Sequence, residues 1–309
     1  MKIFYGIEAV AGKFKNPVIA IGVFDGLHLG HQLLIRKAVA RAKALHGTAV
    51  VMTFDPHPVH VLRPENHLPL LVSLSYRLQL IAALGVDTAV VVRFTKTFST
   101  LAPEQFIKKY LIKPFSPREV IVGDDFRFGQ NRAGTISLFE EAGLRNNFRL
   151  LSVKTQKAGL KKFSSTAARD AIAVGDLKAA ARILGRPVAL LGKVVVGERR
   201  GRTLGFPTAN IIPQGEILPP QGVYVVRIEH RGKTLGGMAN IGVRPSFHKN
   251  ERLNVEIHLF DFNKNIYGYD IVVKFLQKVR NELCFPSSQA LVEQLKKDEV
   301  FSRKWLSNH

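Results

Sequence analysis

Two histidines and two glycines are crowded into FDGLHLGH, residues 24–31, between an apolar run, PVIAIGV, and a stretch with helical spacing, QLLIRKAVARAKAL. The start of a helix carries unpaired N–H groups and the positive end of the macrodipole, so it attracts anions, phosphate above all. Gly26 and Gly30 let the backbone turn sharply and approach a ligand. His28 and His31, three residues apart, share a face of a first helical turn and can donate to a phosphate as its charge builds. The plainer alternative is one histidine capping the helix and the other exposed to solvent. Further along, Ser164, Ser165 and Thr166 place hydroxyls ahead of a helical run, and Arg169 offers a bidentate fork. Alone, these would be an ordinary helix cap; with the histidines they read as a triphosphate cradle.

A second grouping centres on PTAN, residues 207–210. Thr208 and Asn210 are two apart and point the same way on an extended segment. A hydroxyl and an amide carbonyl are hard oxygen ligands suited to Mg²⁺. Glycines 197, 201 and 205 let nearby backbone wrap a phosphate. The alternative is a proline-containing turn with a buried asparagine.

The elements that position the first grouping are legible as an alternation. Residues 18–23, 48–54, 88–94 and 118–123 read as buried strands, and 32–46, 74–84 and 103–112 as helices. That order predicts an α/β, Rossmann-like domain: a parallel sheet with helices on both faces and ligands beyond the carboxyl ends of the strands. FDGLHLGH, DPHP (55–58) and DDFRFG (124–129) follow the first, second and fourth of these strands and should converge on one crevice. Near residue 186 the pattern changes to short β-rich runs separated by Gly, Pro and Asn, which predicts a small antiparallel barrel. The last stretch, from SSQALVEQL onward, reads as an amphipathic helix with Ser288 as its cap. The domain boundaries expected are 1–186 and 187–309.

Composition sets limits. The chain has 309 residues, enough for two ordinary domains, and is 46% hydrophobic. No apolar run reaches membrane-spanning length, the N-terminus lacks a signal-peptide pattern, and a single cysteine, Cys284, rules out an internal disulfide. A reducing, cytoplasmic setting fits. The net charge of +21 is spread along the chain, with 27 basic against 13 acidic residues up to Arg186 and 18 against 11 after it. Anionic partners are expected, and nucleotides or phosphorylated metabolites suit better than nucleic acid, because no long basic block or nucleic-acid motif is present. The sequence leaves the oligomeric state open.

Taken together and in order, IGVFDGLHLGH, TFDPHP, VGDDFRFG, SSTAAR, GRTLGFPTAN, GVY, ANIGVRP, VEIHLFDF and VRNE resemble the bifunctional bacterial riboflavin kinase/FMN adenylyltransferase (FAD synthetase) family over almost the whole chain. The resemblance implies an N-terminal nucleotidyltransferase that joins FMN to AMP from ATP, and a C-terminal kinase that makes FMN from riboflavin. It implies ATP contacts from Gly22, Phe24, Asp25, His28, Gly30, His31, Asp125, Ser164, Thr166 and Arg169, and a flavin side at Pro56 and His57. In the kinase half it implies Mg²⁺ and ATP at Thr208 and Asn210 with Gly201, a catalytic base at Glu256, and flavin contacts at Arg280 and Glu282. One departure is visible: the family often carries a second arginine in the SST segment, where this chain has Ala167 and Ala168, preceded by Lys161 and Lys162. Two rival readings are a chain with one of its two activities decayed, and a basic binding protein that reuses the fold.

Overall fold

The structure is a computed structural model that describes all residues except 9, 11–13, 155–156, 159–160, 198–200, 202–203 and 245–251. Arg202 and Thr203 of GRTLGFPTAN, Pro245 of ANIGVRP and the side chains of Lys161 and Lys162 therefore lie outside what is described. The chain forms two compact units, one of Met1–Pro69 with Leu74–Ser165, the other of Leu70–Ser73 with Thr166–His309.

The first unit is built on a six-stranded, all-parallel sheet. Its strands are β1 (Lys2–Tyr5), β2 (Val18–Ile21), β3 (Ala49–Asp55), β4 (Thr88–Arg93), β5 (Glu119–Gly123) and β6 (Arg149–Val153), in the order β1-β4-β3-β2-β5-β6. Period-two alternation sorts the strand residues onto two buried faces. Val18, Ala20, Val51 and Ile121 pack with Leu34, Ile35, Ala38 and Ala42 of α1 (Leu29–Ala44). Ile19, Ile21, Met52 and Val120 face an aromatic layer that includes Phe54, Phe106, Phe128 and Phe139. Ile35 is fully enclosed, so its truncation to alanine would cost about 2–5 kcal/mol. Arg41 and Lys43 in the last turn of α1 complement the helix dipole, and Arg41 also pairs with the buried Glu119 that opens β5.

The helix read over 103–112 runs on to Phe115 and changes winding, with α-helical turns at Pro103–Phe106 and Lys113–Phe115 and π-helix over Ile107–Ile112 between them. Pro114, which has no N–H to donate, sits at its far end. A two-stranded hairpin, β7 (Lys157–Ala158) with β8 (Lys161–Lys162), precedes the helix Ser165–Ala173.

The second unit is a closed antiparallel barrel of β9 (Val188–Val195), β10 (Ala209–Ile211), β11 (Gly222–His230), β12 (Lys233–Arg244), β13 (Arg252–Leu259) and β14 (Asp270–Arg280), ordered β10-β13-β12-β11-β14-β9. Ala168 and Ile172 of the helix Ser165–Ala173, and Leu177, Ala180 and Leu184 of the helix Leu177–Leu184, join the barrel core with Val255, Ile257 and Ile271. That shared core is why the compact units divide at 165/166, ahead of the composition change near 186. The terminal helix Ser288–Ser307 lays Val292, Leu295 and Leu306 on Phe206, Val223, Met238 and Phe260. Its cap is Ser287, whose Oγ accepts from Ala290 N at 3.2 Å, one residue before the serine read as cap from the sequence.

Candidate active sites

β3, β2 and β5 are adjacent in the sheet, so the FDGLHLGH, DPHP and DDFRFG loops leave the same edge side by side. The histidine loop is tightly wound. Phe24 and Leu27 have φ of 55° and 44°, left-handed values that side chains avoid, while Gly26 takes φ of 73° at no steric cost. Both non-glycine side chains are almost fully buried, so the surrounding core holds the strained backbone in place.

α1 begins at Leu29, which puts His31 on the helix itself and His28 at its cap. His28 Nδ1 accepts from His31 N across a long 3.4 Å, so in its neutral form the ring carries its proton on Nε2. The two imidazoles stack with centroids 3.6 Å apart and 23° between planes, and the Phe24 ring meets His31 edge-on. A Cβ on Gly30 would come within 3.2 Å of the His28 ring, which explains a glycine between them. His28 is therefore a helix cap and a member of the histidine pair at once. His31 Nδ1 is enclosed without a partner among the described residues, and burial, then His28, then Arg77 push this histidine well below its usual pKa. A neutral donor–acceptor imidazole results.

Ser165 Oγ donates to Asp25 O at 3.0 Å, tying the start of the SSTAAR helix to the histidine loop. Ser164 is half-buried, Thr166 is exposed, and Arg169 lies buried one turn along that helix. Asp125 is exposed just beyond β5, with Gly123 leaving room for its carboxylate. Asp55 and Pro56 line an open cleft of about 500 Å³ together with Tyr5, Glu8, Arg93 and Tyr110. His57 caps α2 (Pro58–Leu62), its Nδ1 accepting from Val59 N at 3.2 Å, and is not among the residues lining that cleft.

In the barrel, Asn210 of β10 and Asn240 of β12 are both register partners of Glu256 on β13. Val255 and Ile257 point into the core, so Glu256 stands on the opposite face. Asn254 Nδ2 donates to Asn210 Oδ1 at 2.9 Å and to Glu256 Oε1 at 3.1 Å. Its own Oδ1 is buried without a partner among the described residues. Asn240 Nδ2 donates to Glu282 Oε1 at 3.2 Å, which brings Glu282 beside the same cluster. Arg280 turns elsewhere: it pairs with buried Asp298 at 2.8 Å and docks the terminal helix. Glycines keep this face open, since a Cβ on Gly197 would strike the Asn210 amide at 2.3 Å and one on Gly242 the Glu282 carboxylate at 2.2 Å. Thr208 is half-buried just ahead of β10, and Gly201 O accepts from Phe206 N at 2.8 Å in the turn before it. His258 Nδ1 lies 2.9 Å from Pro207 O and steadies the approach to PTAN.

A family model described as FAD synthetase matches residues 11–167, and one described as riboflavin kinase matches 184–306. Curated proteins named "bifunctional riboflavin kinase/FMN adenylyltransferase" align over nearly full length. The Buchnera aphidicola protein is 36% identical over 99% of both chains, and the Escherichia coli K12 protein 37% over 99% of this chain and 98% of its own. The Bacillus subtilis protein is 38% identical over 95% of this chain and 93% of its own. The chain belongs to the bifunctional riboflavin kinase/FMN adenylyltransferase family. A crystal structure described as a macrolide-efflux protein from Streptococcus pneumoniae shares the fold, with a TM-score of 0.85 and 32% identity over 99% of this chain and all of the other. No helix among the described residues is long and apolar enough to cross a membrane.

Sequence reasoning passed over four polar residues near these sites: Arg77, Asn240, Asn254 and His258. Arg77 and Asn254 are 4% exposed, and burial of a polar side chain in a patterned helix or strand is the one signal that would have marked them. Neither lies in any of the sequence motifs quoted above.

Proposed function

We propose that the two activities of this family are divided between the halves of the chain, with the adenylyltransferase in 1–186 and the kinase in 187–309. The chain phosphorylates riboflavin to FMN and adenylylates FMN to FAD, with ATP as co-substrate. The observation that carries this reading is that one family model covers the first polar grouping as far as residue 167, short only of Arg169, and the other covers the second grouping entirely.

In adenylyl transfer a phosphate oxygen of FMN attacks the α-phosphorus of ATP, and pyrophosphate leaves. The nucleophile is already an anion, so the protein's work is positioning and charge stabilisation. The Nε2–H of His28 and the neutral ring of His31 are suited to donate to phosphate oxygens at the helix start. Gly22, Phe24, Asp25 and Gly30 shape that loop for ATP, and Asp125, Ser164, Thr166 and Arg169 are the remaining ATP contacts in this reading. The cleft at Asp55 and Pro56, walled by Tyr5 and Tyr110, has the size and aromatic lining that a flavin needs. His57 serves there through the backbone it caps.

In the kinase reaction Glu256 takes the proton of the ribityl hydroxyl as that oxygen attacks the γ-phosphorus, and ADP leaves. Asn254 and the pairing with Asn210 hold the carboxylate where β10 delivers the phosphates. Thr208 and Asn210 fit Mg²⁺ by the chemistry of their donors: a hydroxyl and an amide carbonyl are both hard oxygens. Among the described residues no group of three or more His, Cys, Asp or Glu could hold a metal, and Thr208 and Asn210 are the side chains that would hold the ion. When bound, it would offset phosphate charge. Gly201 shapes the turn ahead of them, and Glu282 and Arg280 lie on the flavin side, Glu282 directly and Arg280 by anchoring the terminal helix. A cytoplasmic setting suits these substrates and the single exposed cysteine.

The test is one incubation of the purified chain with riboflavin, ATP and Mg²⁺, with flavins separated over time. FMN rising first and FAD following supports both activities. FMN alone would remove the adenylyltransferase and point to the SSTAAR segment; neither product from folded protein would reject the enzyme reading.

A further inference from the structure

Arg77 belongs to α3 (Leu74–Ala82), outside every motif used above, yet its guanidinium is buried beneath two of the loops that carry them. β2 and β3 are paired from Val18–Ala49 to Ile21–Met52, with one more backbone bond from Gly22 N to Met52 O at 3.1 Å. Past that point the two chains part, one into the histidine loop and the other into DPHP. Arg77 spans the divergence. Its Nη1 donates to Val23 O at 2.7 Å, its Nη2 to Phe54 O at 3.3 Å, and Nη2 also lies 3.5 Å from Asp55 Oδ1. Thr53 Oγ1 reinforces the join by donating to Val23 O at 2.9 Å.

Burying a guanidinium carries a desolvation cost that an apolar residue would avoid. Here the cost is only partly offset, because Nε is enclosed without an acceptor among the described residues. A rigid planar fork can hold two diverging carbonyls in one fixed relation, which neither a leucine nor a flexible ammonium does as well.

We infer that Arg77 is a positioning residue for adenylyl transfer: by fixing Val23 and Phe54 it sets the histidine loop and the flavin-side loop in register with each other. The inference rests on the adenylyltransferase reading of the first unit. The same guanidinium, with Asp25 and Asp55 near it, sits close enough to His31 to help keep that ring neutral.

The test uses the full chain, with the kinase reaction as an internal control. In Arg77→Met, kcat for FAD formation from FMN and ATP should fall about 100-fold, the scale expected of a misplacement near 1 Å, with KM for both substrates changed by less than about threefold. Riboflavin phosphorylation should be unchanged, and Arg77→Lys, which keeps the charge but not the planar fork that reaches both carbonyls, should recover only part of kcat. Should Arg77→Met not fold, Arg77→Gln, which keeps an NH₂ donor without the charge, gives the same readout. Wild-type kcat in the neutral variants overturns the inference. So does a change confined to KM, a loss of rate that only tracks loss of folded protein, or failure of both neutral variants to fold. If the wild-type chain makes no FAD from FMN and ATP, the adenylyltransferase reading falls first and takes the inference with it.

Discussion

Asn210 and Glu256 face each other across the β10–β13 ladder, and Asn254, two residues before Glu256, donates to both from a single amide nitrogen. One side chain thus holds the residue suited to Mg²⁺ and the residue suited to act as base. Glu256→Gln should lower kcat for riboflavin phosphorylation by about 10²- to 10⁴-fold, the usual worth of a general base, without altering FAD formation from supplied FMN. Asn254→Ala removes donors from two buried or half-buried acceptors, and a loss of about 1–3 kcal/mol in kcat/KM for the kinase is expected. Steady-state assays of both half-reactions on each variant check this.

The histidine pair predicts the mirror result. His28→Ala removes the α1 cap, the stacking partner of His31 and the Nε2–H donor together. FAD formation should be abolished while FMN formation from riboflavin persists. Cap loss costs about 1 kcal/mol, so the unit should remain folded, and a denaturation curve beside the assay separates the two effects.

His31 also gives the protein a pH dependence. Its folded-state pKa is depressed, chiefly by burial, so below about pH 6.5 the unfolded chain binds a proton that the native state refuses. Stability from this residue is complete above that pH and declines as pH falls toward the lowered native value. His31→Asn should flatten the decline. Urea midpoints of wild type and variant between pH 7.5 and 5 measure it, and parallel curves would contradict the account.

Asp298 is 2% exposed and accepts from Arg280 and from Gln294 Nε2 at 2.8 Å, fastening the terminal helix to the end of β14. Asp298→Ala leaves a largely buried guanidinium unpaired and should destabilise the second unit by about 3 kcal/mol. Denaturant unfolding of the chain, followed by the single tryptophan, Trp305 on that helix, reports the change.

What could be read from the sequence was set by where the driving force lies. β2, β3, β4 and β5 announce themselves as apolar runs because both faces of their sheet are covered. β1 and β6 do not, since they are edge strands of mixed exposure, and β10 is only three residues long inside PTANI. His28, His31, Thr208, Asn210 and Glu256 stood out because their spacing or motif was local. Arg77 and Asn254 did not, because their roles depend on which strands and loops become neighbours, and no local periodicity encodes that. The alternation around Glu256 left its role open; only the register with Asn210 and Asn240 places it in a polar cluster.

The most direct test of the central claim, two separate sites on one chain, is complementation between single-site variants. His28→Ala and Glu256→Gln would each be incubated with riboflavin, ATP and Mg²⁺, alone and mixed. The account predicts FMN only from the first, product formed at least about 100-fold more slowly from the second, and rapid FAD from the mixture as FMN passes from one molecule to the other. Loss of both activities in either folded variant, or FAD from His28→Ala alone, would contradict it.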